Sequence, residues 1–418
     1  MTTPTFDSGQ ILTTTLPSAL RTYYSKLLLE VIRTKSILVP FCRVKMDPAA
    51  QQSRTITYTE ALDAEPNWNI VAEGTTFMRG AHLDQRTVDI SVNIYGDVIK
   101  YGDFFTKTQG IVDDFRGLVK GKLGQLVVDE LDILARNAHL AHPSPYYPGS
   151  ATSRGTVTAN DILTLALVRD VRVNLEEKNL IDWNGDSPMT EIVCITTPRS
   201  IEDLRSGSTS PWMEVQAYNN AARIFSGEMG KWEGVRFVKS NRLRLQNYGE
   251  TLAQTTLAVD VTEGSGAQAA DSIYTYGQSG ATNFITVDSN ANFTIGMSLT
   301  IHSAALGTTP LESDGVQETR RVVNKLSTDK LVLDFPLMKP HASGDYVTNG
   351  RDLHASIFLV GPSVVWGLAE EPNVFPAPKI DDLQMINRFG WRMFGKFQQF
   401  TPERQRLVIS AGSAGLED

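Results

Sequence analysis

The chain has 418 residues, 41% of them hydrophobic and 21% charged, a composition that supports two or three domains with real cores and excludes a disordered or low-complexity chain. A net charge of -8 excludes a free-standing basic nucleic-acid binder and confines any DNA contact to one face. Two cysteines, Cys42 and Cys194, lie in apolar runs and read as buried thiols in a reducing compartment, and no apolar run reaches the roughly 18 residues a membrane span needs.

Residues 1–20 are rich in Thr, Ser and Pro and read as an extended arm held by a neighbouring subunit. The start lacks the basic and apolar regions of a signal peptide, which predicts assembly inside a cell. Leu20, Tyr23, Tyr24, Leu27, Leu28 and Val31 have helical spacing and predict a short amphipathic helix over about 18–34. Two alternating stretches, 54–59 and 88–94, predict a long two-stranded feature, with Tyr95-Gly96 as a bulge before Val98-Ile99. Between them, residues 61–85 hold Trp68, Phe77 and Met78 but no dense apolar run, the profile of a reaching loop held by a partner.

The longest helix is predicted over 108–141, with Ile111, Phe115, Leu118, Leu126, Leu131, Leu134 and Ala138 as its stripe. Gly117, Gly121 and Gly124 fall inside it, each costing about 1 kcal/mol relative to alanine. A helix capped by Thr158 and Asp161 is predicted to run to about residue 179, followed by a buried strand at 191–196. Short helices at Pro198 and over 211–225, then a strand at 234–239, complete a compact α+β domain. From about 255 to 350 the chain turns Thr/Ser/Gly-rich, with strands at 283–288, 298–302, 319–326 and 330–335, which predicts a small all-β insert. Mixed character returns with the apolar stretches 357–360, 389–394 and 406–409.

Catalytic chemistry finds no foothold in these residues. The Gly117…Gly121-Lys122 stretch is one spacer short of a phosphate-binding loop, and Leu123 replaces its Ser or Thr. His139 and His142 are three apart with no third ligand near, and suit the negative end of a helix dipole. Asp182, Asn184 and Asp186 start like a calcium loop, but Ser187 and Val193 stand where Gly and Glu belong. No nucleophile elbow or acid/base pair stands out, so no catalytic, cofactor-binding or metal-binding residue is expected.

Four local motifs stand out along this order of elements: Ala72-Glu73-Gly74, Asn93-Ile-Tyr-Gly-Asp-Val98, Ser226-Gly-Glu-Met-Gly-Lys-Trp-Glu-Gly-Val-Arg-Phe237 and Phe389-Gly-Trp391. With the order itself, arm, two-stranded loop, long helix and mixed domain, they resemble the Hong Kong 97 capsid fold of tailed phages, and most of all the major capsid family typified by coliphage N-four. On this basis the chain divides into an N-terminal arm (1–45), an extended loop with peripheral strands (46–105), a spine helix (106–150), an axial domain (151–254), an inserted β domain (255–350) and a return to the axial and peripheral domains (351–418). The fold class is therefore α+β.

The resemblance implies a major capsid protein forming hexamers and pentamers around double-stranded DNA, met non-specifically at the inner surface, in a virion assembled in the host cytoplasm. Other implied partners are a portal protein, a scaffold and a cementing or decoration protein; a membrane is not among them. Residues 1–45 carry a net +4 and residues 46–99 a net -5, so loop and arm are expected to meet across subunits, through Trp68, Glu73, Phe77, Arg79, Arg21 and Lys26. Gly117, Gly121 and Gly124 are expected to mark spine flexure or close packing, and the insert to lie on the outer surface. Some relatives weld their shells through a loop lysine, but 46–99 contains none. The alternatives are an encapsulin, a nanocompartment shell of the same fold, and an α/β enzyme carrying a β binding module.

Overall fold

A computed structural model of the chain describes residues 36–47, 54–61, 85–102, 112–178, 191–206, 228–263, 272–273, 284–303, 318–337, 339–377 and 386–413. The arm, the helix expected over 18–34, the interior of the loop and the helix expected over 211–225 lie outside these residues. In chain order the strands are β1 (Arg43–Met46), β2 (Thr55–Ala61), β3 (Gln85–Ser91), β4 (Asn93–Gly102), β5 (Ile192–Thr196), β6 (Glu228–Trp232), β7 (Val235–Lys239), β8 (Arg244–Leu245), β9 (Thr251–Thr256), β10 (Thr262–Glu263) and β11 (Ser272–Ile273). They continue with β12 (Phe284–Thr286), β13 (Ser298–His302), β14 (Glu318–Lys325), β15 (Lys330–Leu333), β16 (Tyr346–Gly350), β17 (Leu353–Leu359), β18 (Val364–Ala377), β19 (Ile386–Gln399) and β20 (Gln405–Ala411). The α-helices are α1 (Val112–Leu140), α2 (Leu165–Glu176) and α3 (Pro198–Ser206).

Two compact units result, one from Met1–Leu131 with Val364–Phe400, the other from Asp132–Ser363 with Thr401–Asp418. In the first, a four-stranded sheet runs β1-β18-β19-β4, with β1 parallel to β18 and the other pairs antiparallel. The predicted two-stranded feature is present: β2 and β3 pair from Thr55↔Ser91 to Ala61↔Gln85. Period-two alternation explains it, since Ile56, Tyr58 and Ile90 turn inward to a cluster with Val365, Ala369 and Phe400, while Thr57 and Thr59 bond Asp89 and Thr87 on the wet face. The expected bulge at Tyr95-Gly96 is not there. Strand β4 pairs β19 without a break from Asn93↔Gly395 to Gly102↔Ile386, and the interruption falls at Val92 instead. Gly96 serves close approach: a Cβ there would stand 2.5 Å from the Trp391 carbonyl.

In the second unit a mixed sheet runs β20-β17-β5-β7-β6, and only β5 and β7 pair in parallel. Helix α2 lays Leu167, Val168, Val171 and Leu175 against Cys194, Val235 and Phe237. Fully burying each such side chain contributes roughly 1.5–3 kcal/mol. This helix begins seven residues later than expected. Thr158 and Asp161 do bond each other, but they close a turn, because Ile162 is already committed to a parallel bridge with Ala411. Thr164 is the N-cap, accepting from the Leu167 N–H.

The insert is a closed antiparallel barrel. Its strands run β12-β15-β14-β13-β16-β9, and the two ends meet through the bridge Leu257↔Val287, with Ala258 N–H donating to Thr286 O and Asp288 N–H to Thr256 O. Closure removes free edges from the path. Ile285, Phe293, Leu299, Ile301, Leu331 and Val347 are among the residues filling the interior. The barrel is tied in by a two-stranded neck: β8 pairs β17, then Gly249 N–H donates to Arg351 O at 2.7 Å and Arg351 N–H to Glu250 O at 2.9 Å.

Candidate assembly surfaces

Among the described residues no group of three or more His, Cys, Asp or Glu could hold a metal. His139 and His142 are each engaged within the fold. His142 Nε2 bonds Pro402 O at 3.1 Å and its Nδ1 accepts from Ser144 N–H, while His139 is buried against Gln405 and Ser363. Thr197 Oγ1 bonds His354 Nδ1 at 2.8 Å, a pairing found in nucleophilic sites. Both are buried, and Thr197 also accepts from Ser200 N–H at the start of α3, so the hydroxyl acts as a cap. Asp352 is occupied by Arg244 and by the Asn247 N–H.

A buried charge cluster braces the β5-β7-β6 end of the second unit. Arg236 bonds Glu191 at 2.6 Å and Glu228 at 3.4 Å, and Lys231 reaches Glu191 at 3.2 Å. Burial works against the Glu191 charge, but the bonds from Arg236 and Lys231 outweigh it and hold its carboxyl below the usual range. Nearby, Arg169 and Arg172 of α2 clamp the turn between β6 and β7, where Glu233 and Gly234 both have positive φ.

What the two units offer to a partner is surface. In the first, β1 and β4 are the sheet edges, exposing Val44 and Met46 on one and Ile94 and Val98 on the other. Edge strands with apolar side chains are natural pairing sites. On the barrel, Leu252, Ile295, Val323, Leu326 and Phe335 are exposed. The contact residues expected from the sequence, Trp68, Glu73, Phe77, Arg79, Arg21 and Lys26, all lie outside the described residues. At the root of the loop, Arg43 meets Glu60 at 3.9 Å and stacks over Tyr58, and Arg86 stacks over Phe400.

Gly117, Gly121 and Gly124 all fall within α1, which is continuous through them. Among the described residues a Cβ at Gly124 would meet nothing within 4 Å, so close packing against them does not account for that glycine. The expected stripe needs correction over the second half of the helix. Leu123, Val127, Val128, Leu131, Ala135 and Ala138 are buried, whereas Leu126 and Leu134 are half-buried. Leu131 and Ala138 of the expected stripe are buried as predicted, but Leu126 and Leu134 are displaced from the buried face, which valine and alanine share with Leu123 and Leu131. The signal missed in the sequence was the i, i+4 series Leu123-Val127-Leu131-Ala135.

Residues 112–311 match the model of a family described as phage capsid protein. No curated protein matches the chain. Among solved structures, the capsid of Ralstonia phage GP4 is 11% identical, with a TM-score of 0.55 over 91% of this chain and 92% of that one. The capsid of cyanophage P-SCSP1u is 11% identical, with a TM-score of 0.47 over 91% and 90%. An encapsulin complex of Synechococcus elongatus is 9% identical, with a TM-score of 0.42 over 90% and 88%. The fold of this chain is the Hong Kong 97-type capsid fold, carrying an inserted β-barrel, and the match to the phage capsid protein family lies across its spine helix, mixed sheet and the first part of the barrel.

Proposed function

We propose that the chain is a major capsid protein that assembles as hexamers and pentamers into an icosahedral shell around double-stranded DNA. The observation that carries this reading is the capsid-family match over 112–311, on a fold aligned along 91% of the chain with a phage capsid. The surfaces agree in kind with such a role. Exposed apolar residues sit on two sheet edges and on the barrel, and affinity spread over large repeated interfaces needs no concave site. The loop and arm, through Trp68, Glu73, Phe77 and Arg79 on one side and Arg21 and Lys26 on the other, would join neighbours, and the acidic loop would meet basic arm. A portal protein, a scaffold and a cementing protein complete the set of partners, in a virion assembled in the host cytoplasm. Finer kinship with the coliphage N-four family rests on the motifs quoted above.

Sizing and electron microscopy of the expressed chain, followed by nucleic-acid assay of particles from the native source, test the proposal. Closed icosahedral particles holding DNA are expected. A small soluble oligomer would sink the shell reading, and particles filled with a cargo protein and free of DNA would move the chain to the encapsulins.

A further inference from the structure

The barrel segregates its charge by strand. Residues 318–339, which contain β14 and β15, hold all five of its Lys and Arg against three acids, a net of +2. The remainder, 251–317 and 340–350, holds seven acids and no Lys or Arg, a net of -7. Strand order sets the two sides apart. In the closed path β12-β15-β14-β13-β16-β9, β14 lies three places from β9 in either direction, and β15 three places from β16. The β14-β15 hairpin therefore stands across the barrel from the β16-β9 pair.

The basic side is also the more apolar one. Val323, Leu326 and Phe335 are all exposed there. The β14-β15 register slips between Val322 and Asn324, which leaves Val323 facing outward with no cross-strand partner on β15. Exposed Ile295 joins them through Gly296, whose N–H donates to Val322 O at 2.8 Å and whose carbonyl accepts from Arg321 Nε at 3.1 Å. On the far side Leu252 of β9 is exposed, as are Asp260 and Asp288. Both carboxylates are held by neutral donors, the Ser343 N–H and the Thr256 hydroxyl.

We infer that the barrels of neighbouring copies dock head to tail, the β14-β15 face of one against the β9-β16 side of the next. A patch and its complement on opposite sides of one closed barrel cannot meet within the molecule. Between copies they make a heterologous contact, which closes into a ring or runs on. Like sides disfavour one another, since hairpin on hairpin would set cation against cation. The apolar residues supply affinity, and the charges steer the encounter and fix its direction. The inference needs copies held side by side and so rests on the shell reading.

The test is carbodiimide cross-linking, which joins a carboxylate directly to an amine, on full chains assembled from isotopically light and heavy copies and read by mass spectrometry. Mixed-isotope links from Lys325, Lys330 or Lys339 to Asp260, Asp288 or Asp345 are expected. Particles lacking such links, or with the hairpin lysines joined to a different protein, overturn the inference and leave the shell reading standing. Small oligomers that carry the links support it while sinking the shell reading, and small oligomers without them sink both. Variants give a second measurement. Val323→Glu with Leu326→Glu, both at exposed positions, should raise the protein concentration needed for assembly at least about tenfold. Adding Leu252→Lys and Asp288→Lys to that chain should recover most of the loss. Unchanged assembly of the first variant, or no recovery in the combined one, refutes head-to-tail docking.

Discussion

Two glycines with opposite surroundings illustrate how much of this protein is set residue by residue. Gly124 lies mid-helix with nothing among the described residues within 4 Å of a would-be Cβ, so alanine adds helix propensity without a clash against them. Gly124→Ala should raise stability by about 1 kcal/mol in chemical denaturation. Gly350 is the reverse case, since its Cβ would stand 3.0 Å from Asn247 O and 3.2 Å from Glu250 O, both main-chain atoms of the neck. Gly350→Ala should cost about 1–3 kcal/mol, and equal or raised stability in the same assay would show that the neck can relax. Arg236 poses a third case. It is nearly buried between Glu228 and Glu191, and Arg236→Ala leaves the buried Glu228 carboxylate without that partner. The expected loss is about 3–5 kcal/mol, checked by the midpoint of urea unfolding.

At the scale of elements, β4 makes the clearest statement about assembly. It is an edge strand, and Ile94 stands 74% exposed on it beside Phe394 of β19. Burial of such a side chain at a subunit contact contributes roughly 1.5–3 kcal/mol per copy. Ile94→Asp should therefore leave the monomer folded, by far-UV dichroism, while abolishing particles in sizing chromatography. Unchanged assembly would mean that this edge faces solvent in the shell. The barrel makes a second, separate prediction: residues 251–350 carry five Lys or Arg against ten Asp or Glu, a balance unsuited to a wall facing DNA. A density map should place it on the outer surface, and density on the inner wall would refute that placement. Elements with a clear period were legible in the sequence. β2, β3 and β13 alternate, and α1 is long enough for its helical period to emerge despite three glycines. Elements whose inward residues are small or polar were not legible. β9 turns Ala253 and Thr255 inward and β16 turns Val347 and Asn349, so neither shows an apolar alternation, and barrel closure cannot be inferred without them. The buried contacts of His139 with Ser363 and Gln405 were invisible for a different reason: these partners are 224 and 266 residues away from the histidine, and no local pattern links them.

For the whole molecule, the consequence of the fold is a question of what holds many copies together. A covalent weld through the extended loop needs an amine there, desolvated enough to lose its proton and attack a neighbour. From Met46 to Ile99 there is no lysine; Lys45 ends up within β1 and Lys100 within β4, both in the four-stranded sheet at the root of the loop. Arginine cannot serve, because its guanidinium stays protonated at any working pH. Disulfides are closed off as well, since Cys42 and Cys194 are buried free thiols and burial pushes the Cys194 thiol well above its usual range. Stability of the assembled particle then has to come from non-covalent area: the sheet edges around Val44 and Ile94, the barrel face with Phe335 and Ile295, and whatever the arm and loop add. Surface ion pairs such as Arg43–Glu60 contribute at most about 1 kcal/mol each, so the apolar contacts carry most of the cohesion. Particles boiled in detergent should accordingly run on a denaturing gel as one band near 46.0 kDa, and a ladder of covalent multimers would show that a bond forms through residues outside this loop.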